Sequence, residues 1–209
     1  MVSKRVIAEV GADHGYITLN LFDNNKLDFA YLTDISSKSL QKAKDNFVNF
    51  KNYNVEFLVG DGLNVFNFLP KNSSYIKPEQ IIIAGMGGNE IIKILQNDKN
   101  SFDNFVLQPQ RNVVDLRKYL QDNFFEIEKD VMTKDGRIFY NILKVKKVKT
   151  KQLLKQEEIL FGKTNIERKS DIFKEYLLFE LEKLIKITKK TQEVNEKILQ
   201  IKEVLKEIN

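Results

Sequence analysis

Val6-Ile7-Ala8-Glu9-Val10-Gly11-Ala12-Asp13-His14-Gly15 decides how this chain is read. A short, mostly apolar run stops at a glycine, which suits a strand buried on both faces of a parallel sheet. Residues 17–22 then set Ile17, Leu19, Leu21 and Phe22 partly around a helix. Strand, glycine turn and helix make the first half of a βαβ unit. The pattern repeats outward from there. Residues 29–33, closed by Asp34, form a second strand, and Ser36 or Ser37 caps a helix running through Leu40, Ala43, Phe47 and Val48. Residues 55–59 form a third strand before Gly60-Asp61-Gly62, and 81–84 a fourth before Gly85-Met86-Gly87-Gly88. A helix over 89–95, a strand over 105–107 ended by Pro109 and a helix over 113–120 follow. Residues 124–131 and 137–145 read as two strands joined through Lys134-Asp135-Gly136, a hairpin signal. The expected fold is α/β: a Rossmann-like, mostly parallel sheet closed by a terminal antiparallel hairpin.

Beyond residue 145 the composition changes. Lys144, Lys146, Lys147, Lys149 and Lys151 crowd one short stretch, and glycine and proline then vanish except for Gly162. Val194, Ile198, Ile201, Leu205 and Ile208 step as a heptad seam, and Phe173, Leu177, Leu181, Leu184 and Ile187 form a matching stripe. Helices over 171–189 and 192–208 are expected to pair as an antiparallel coiled-coil hairpin. The chain therefore divides into 1–148, the α/β domain, and 149–209, the helical domain.

Composition excludes several chemistries. The 209 residues include 15 Phe and 7 Tyr, ample for a core, but no Cys and one His. Disulfides, thiolate nucleophiles and zinc–thiolate sites are ruled out, and no metal site is expected. No apolar run approaches the roughly 18 residues of a membrane span. The first six residues lack the apolar segment of a secretory signal. The expected location is the cytoplasm. The net charge of +5 is compatible with a polyanionic partner.

The first glycine turn carries two carboxylates, Glu9 and Asp13, and lacks both the third dinucleotide glycine and the P-loop lysine. Carboxylates repel a pyrophosphate and attract an ammonium or sulfonium, which points to S-adenosylmethionine. A plain strand–helix turn is the alternative. Asp34, about twenty residues on, is placed to accept from both ribose hydroxyls, or else it is a helix N-cap or turn residue. Asp61 and Gly62 are placed for an adenine amine, or else form an ordinary turn. The glycines of Ala84-Gly85-Met86-Gly87-Gly88 require close backbone approach to something.

These segments, with Tyr16, Leu63 and Leu107-Gln108-Pro109, resemble the bacterial tRNA adenine N1-methyltransferases that modify position 22, in the D-arm. The resemblance covers about residues 6–145, with the tail similar in architecture only. It implies a class I methyltransferase fold, S-adenosylmethionine as cofactor and tRNA as partner. Residues 1–5 are shorter than the helix the family usually carries before its first strand. Gln110-Arg111-Asn112 stands where the family more often has Asn directly after Pro. What the resemblance implies is attack of adenine N1 in line on the sulfonium methyl. Cofactor contacts fall on Glu9, Gly11, Asp13, His14, Asp34, Ile35, Asp61, Gly62 and the 84–87 loop: Ala84, Gly85, Met86, Gly87. Asp13, Gln108, Pro109 and Tyr140 would frame the reacting groups, Tyr140 as a stacking ring or a core aromatic. His14 is read mainly as a helix-start residue. Lys144 to Lys151 would meet tRNA phosphates or be a solvated linker. The hairpin grips tRNA or pairs with a second copy; a monomer is the working expectation. Competing functions are a methyltransferase acting on another RNA or a small molecule, and a non-catalytic RNA-binding protein of the same fold.

Overall fold

The computed structural model describes residues 1–50, 52–69 and 75–208. Seven strands build one sheet: β1 (Val6–Val10), β2 (Phe29–Asp34), β3 (Val55–Val59), β4 (Gln80–Met86), β5 (Asn104–Pro109), β6 (Phe125–Asp135) and β7 (Ile138–Lys147). Their order is β3-β2-β1-β4-β5-β7-β6. β1 to β5 run parallel, and β7 lies antiparallel between β5 and β6. Helices α1 (Tyr16–Asp23) and α2 (Ser37–Phe47) cover one face; α3 (Gly88–Gln96) and α4 (Val113–Asp122) cover the other. Side chains alternate along each strand. Ile7 and Ile82 therefore pack toward α1 and α2, and Ala8, Ile81 and Ile83 toward α3 and α4. Both layers are apolar, which is why these strands read as nearly unbroken hydrophobic runs.

The structure differs from expectation in a few places. β4 and β5 extend through Met86 and Pro109, because those ends pair with each other across a register shift between Ala84 and Met86. Asp135 pairs with Ile138, so the hairpin turns on Gly136-Arg137, one residue later than expected. Two short helices were unforeseen, α5 (Gln156–Phe161) and α6 (Lys163–Arg168), either side of Gly162 at φ 87°. Six residues show too little of a 3.6-residue period to be read. α7 (Asp171–Ile185) stops short of 189, and Ile187 of the stripe is exposed. α8 (Gln192–Ile208) matches expectation.

Phe173 and Leu177 of α7 meet Ile201, Leu205 and Ile208 of the expected seam on α8, with Val204 beside it. Met132 of β6 and Phe161 of α5 belong to the same cluster. The hairpin is thus bedded on the end of the sheet. No helix among the described residues is long and apolar enough to cross a membrane.

Candidate active site

β1 pairs with β2 on one side and β4 on the other, and the chain reverses direction across the sheet there. Ligands of open α/β sheets bind beyond the strand ends at such a switch point. Gly11 sits there at φ 72°, its N–H donating to the Thr33 carbonyl at 2.8 Å. Two cavities open on either side of it.

The first, about 280 Å³, is lined by Gly11, Asp34, Ile35, Asp61, Gly62 and Met86, among others. Asp34 Oδ1 accepts from the Ser36 N–H at 2.8 Å, and Oδ2 from the Asp13 N–H at 3.4 Å. Ser36, not Asp34, caps α2, and Asp34 holds the turn that leads into it. Each carboxylate oxygen still has a second lone pair for a ligand hydroxyl. Ile35, 72% exposed, offers an apolar face at the rim. Lys93 and Ile94 of α3 also line this cavity, and sequence reading missed them. Their signal is position one turn into the helix that follows the Gly85–Gly88 loop.

The second cavity, about 370 Å³, is lined by Glu9, Asp13, His14, Ala84, Gly85 and Gln108, with Tyr16 and Ile17 from α1. Tyr16 and Ile17 were not foreseen as site residues. Their exposed side chains on the first turn of α1 were the available clue. Glu9 is buried, and its Oε2 accepts from Thr18 N at 3.1 Å and Thr18 Oγ1 at 2.5 Å. Burial pushes its carboxyl up to about 7, against the opposing pull of the Thr18 bonds. Asp13, at φ 40°, meets Lys42 Nζ at 3.0 Å and His14 Nε2 at 3.6 Å. The Lys42 bond holds Asp13 below the usual carboxylate range. Its charge is thus shared with α2 rather than aimed only at a ligand. His14 stacks on Tyr16 with ring centres 5.1 Å apart. Gln108 Oε1 accepts the Gly85 N–H at 2.9 Å, so its amide braces the glycine loop.

The remaining sequence candidates lie elsewhere. Pro109 is buried at the end of β5, opposite Met86. Gly87 caps α3 and lines neither cavity; a Cβ there would meet Glu90 Oε2. Tyr140 lies on β7 opposite Thr133 and lines neither cavity. Lys146 pairs with Asn104 at the start of β5, whereas the site is at that strand's end. The lysine run is therefore displaced about 17 Å along the sheet, at about 3.3 Å per residue. Lys144 pairs with Glu128 at 2.9 Å and Lys151 with Asp122 at 2.6 Å.

Glu9 makes stability fall with pH. Its folded value, about 7, lies above the ordinary 4.5. The contribution is whole below 4.5, where the carboxyl is protonated in both states. It is lost as pH rises toward 7, because the unfolded chain releases that proton first. The loss is about 3 kcal/mol across that window. Thermal unfolding of wild type and Glu9→Gln at a series of pH values should show the wild type losing ground between 4.5 and 7. A constant gap would contradict the buried, raised carboxyl.

A class I S-adenosylmethionine-dependent methyltransferase is what this strand order and this acidic switch-point site define. The family model for tRNA (adenine(22)-N(1))-methyltransferase matches residues 7–209, and the chain belongs to that family. Its reaction is methyl transfer from S-adenosylmethionine to N1 of adenine 22 of tRNA. The Mycoplasma genitalium protein MG248 is 34% identical over 158 residues, 76% of this chain and 69% of its own length. The tRNA (adenine(22)-N(1))-methyltransferase of Bacillus subtilis is 28% identical over 139 residues, 64% of this chain and 56% of its own. Among solved structures, Mycoplasma capricolum TrmK with S-adenosylhomocysteine has a TM-score of 0.84 at 26% identity, covering 98% of this chain and 92% of that one. Streptococcus pneumoniae Sp1610 with S-adenosyl-L-methionine scores 0.83 at 27% identity, covering 97% and 93%.

Proposed function

We propose that the first cavity takes the adenosine of S-adenosylmethionine and the second takes its methionine end together with the target adenine. The observation that carries this is Gly11, shared by two cavities with different donor sets. Asp34 would accept from the ribose hydroxyls, Asp61 from the adenine amine, and Ile35 would pack on the base. These residues fit the cofactor: hydrogen-bond acceptors and an apolar rim lie on one side, and carboxylates suited to cationic groups on the other. S-adenosylmethionine supplies the methyl group. Adenine N1 has an in-plane lone pair and is unprotonated at neutral pH, so no residue need act as its base. The chain's task is alignment, charge placement and exclusion of water. Gln108 and the Gly85 loop form the wall facing the target base, and the base must leave its stack to reach them. A cation beside Glu9 would offset the burial that otherwise disfavours its negative charge.

Residues 1–148 are the catalytic unit and 149–209 a helical unit bedded on it; Lys146, Lys147 and Lys149 are phosphate contacts remote from the target base. Action as a monomer is part of this reading. A tRNA substrate supports a cytoplasmic location. Incubation with labelled S-adenosylmethionine and unmodified tRNA should yield 1-methyladenosine on nucleoside analysis. Asp34→Ala should weaken cofactor binding by about 10²–10⁴-fold, as expected for two hydrogen bonds to a charged group at about 1.5–3 kcal/mol each. Calorimetric affinity equal to wild type would remove Asp34 from the ribose contact.

A further inference from the structure

The register shift in β4 has an effect on side-chain direction. Residues two apart on a strand normally share a face. Here Ala84 packs with the α1–α2 layer, whereas Met86 packs with the α3–α4 layer. The irregularity between them, with Gly85 at φ 77°, turns Met86 to the other side. Such bulges re-aim side chains beside active sites. The new direction carries Met86 across Gly11: a Cβ built on Gly11 would lie 2.0 Å from Met86 Cε. Gly11 is the wall common to both cavities, and Met86 lines only the first.

We propose that Met86 is a displaceable plug in the throat between the adenosine cavity and the methyl-transfer cavity. A ligand that ends at the adenosine fits with the plug in place. A ligand that carries the methionine chain past Gly11 must turn the Met86 side chain aside. Methionine suits this task, since its unbranched thioether changes rotamer cheaply. The plug keeps the second cavity closed off from the first until the whole cofactor arrives. This inference rests on the cofactor placement above.

Three methionines make the test direct. Protein labelled with carbon-13 at the methionine methyls gives signals for Met1, Met86 and Met132, and Met86→Leu identifies the one that matters. Saturation with S-adenosylhomocysteine should move the Met86 signal well beyond the shift that adenosine causes, since adenosine meets the same side chain in the first cavity without displacing it. In stopped flow, Met86→Ala should associate with S-adenosylhomocysteine about tenfold faster than wild type, a barrier change of about 1.4 kcal/mol. Adenosine should associate equally fast with both. Calorimetry on the same samples separates the two ideas. No binding of S-adenosylhomocysteine overturns the cofactor placement, and the plug with it. Binding with an unmoved Met86 signal, an equal shift with adenosine, or an unchanged association rate overturns the plug alone.

Discussion

Arg117→Ala should lower the melting temperature by on the order of 10 °C and loosen the helical segment from the sheet. Arg117 is 1% exposed, as is its partner Asp130, and their Nε–Oδ2 separation is 2.6 Å. The guanidinium also donates to the Ile159 and Leu160 carbonyls at 3.1 and 2.9 Å and to Asn141 Oδ1 at 3.0 Å. Asn165 continues the network: its Oδ1 accepts the Met132 N–H at 2.9 Å, and its Nδ2 donates to the Phe161 carbonyl at 3.0 Å. One cation thus ties α4, β6, β7 and α5 together. Removing it strands a buried carboxylate and two carbonyls, and breaking such a pair costs about 3–5 kcal/mol. An apolar replacement of both Arg117 and Asp130 should recover only part of this, because the Ile159 and Leu160 carbonyls would still lose their donor. Gly162→Ala tests the same locus, since a Cβ there would lie 2.6 Å from Asp130 Oδ2. Melting curves and amide exchange in residues 156–168 read out both. A wild-type melting temperature for Arg117→Ala would show that the network contributes little.

That network also marks where sequence reading stopped. The parallel strands were legible because two covered faces force continuous apolar runs, as in Ile81-Ile82-Ile83. The glycine turns were legible because Gly11 and Gly85 must adopt positive φ. Asp34, Asp61 and Gln108 could be placed because strand ends converge at one edge. Direction of side chains was not legible. Nothing local in Ala84-Gly85-Met86 says that Met86 crosses to the far face, or that Tyr140 lines no cavity. Asp13 reads as a free carboxylate, yet Lys42, 29 positions away, occupies it. Nothing local marks Arg117 on α4 as buried, and only the fold brings Asp130 to it. Contacts between distant segments decide all four.

Gly88→Ala should cut turnover by about 10²-fold while the protein still folds and still binds S-adenosylhomocysteine. Gly88 opens α3, and its N–H donates to the Arg111 carbonyl at 2.8 Å. A Cβ at this position would lie 2.4 Å from the Asn112 carbonyl oxygen and 2.9 Å from that of Arg111. Both obstacles are backbone, so neither can rotate away. The loop after β4 must then part from the loop after β5. Those two loops are otherwise stitched by the Gln110 N–H to the Met86 carbonyl at 2.8 Å and by Gly85 N–H to Gln108. The wall facing the target base therefore shifts, whereas Asp34 and Asp61, on β2 and beyond β3, stay in place. A displacement near 1 Å suffices for a loss of about 10² in an alignment-driven reaction. Gly136→Ala is the control. It has positive φ but no neighbour within 4 Å, and it sits on the hairpin turn away from both cavities. It should cost about 1 kcal/mol of stability and leave turnover unchanged. Wild-type turnover in Gly88→Ala would mean that the seam between the two loops does not set the geometry of transfer.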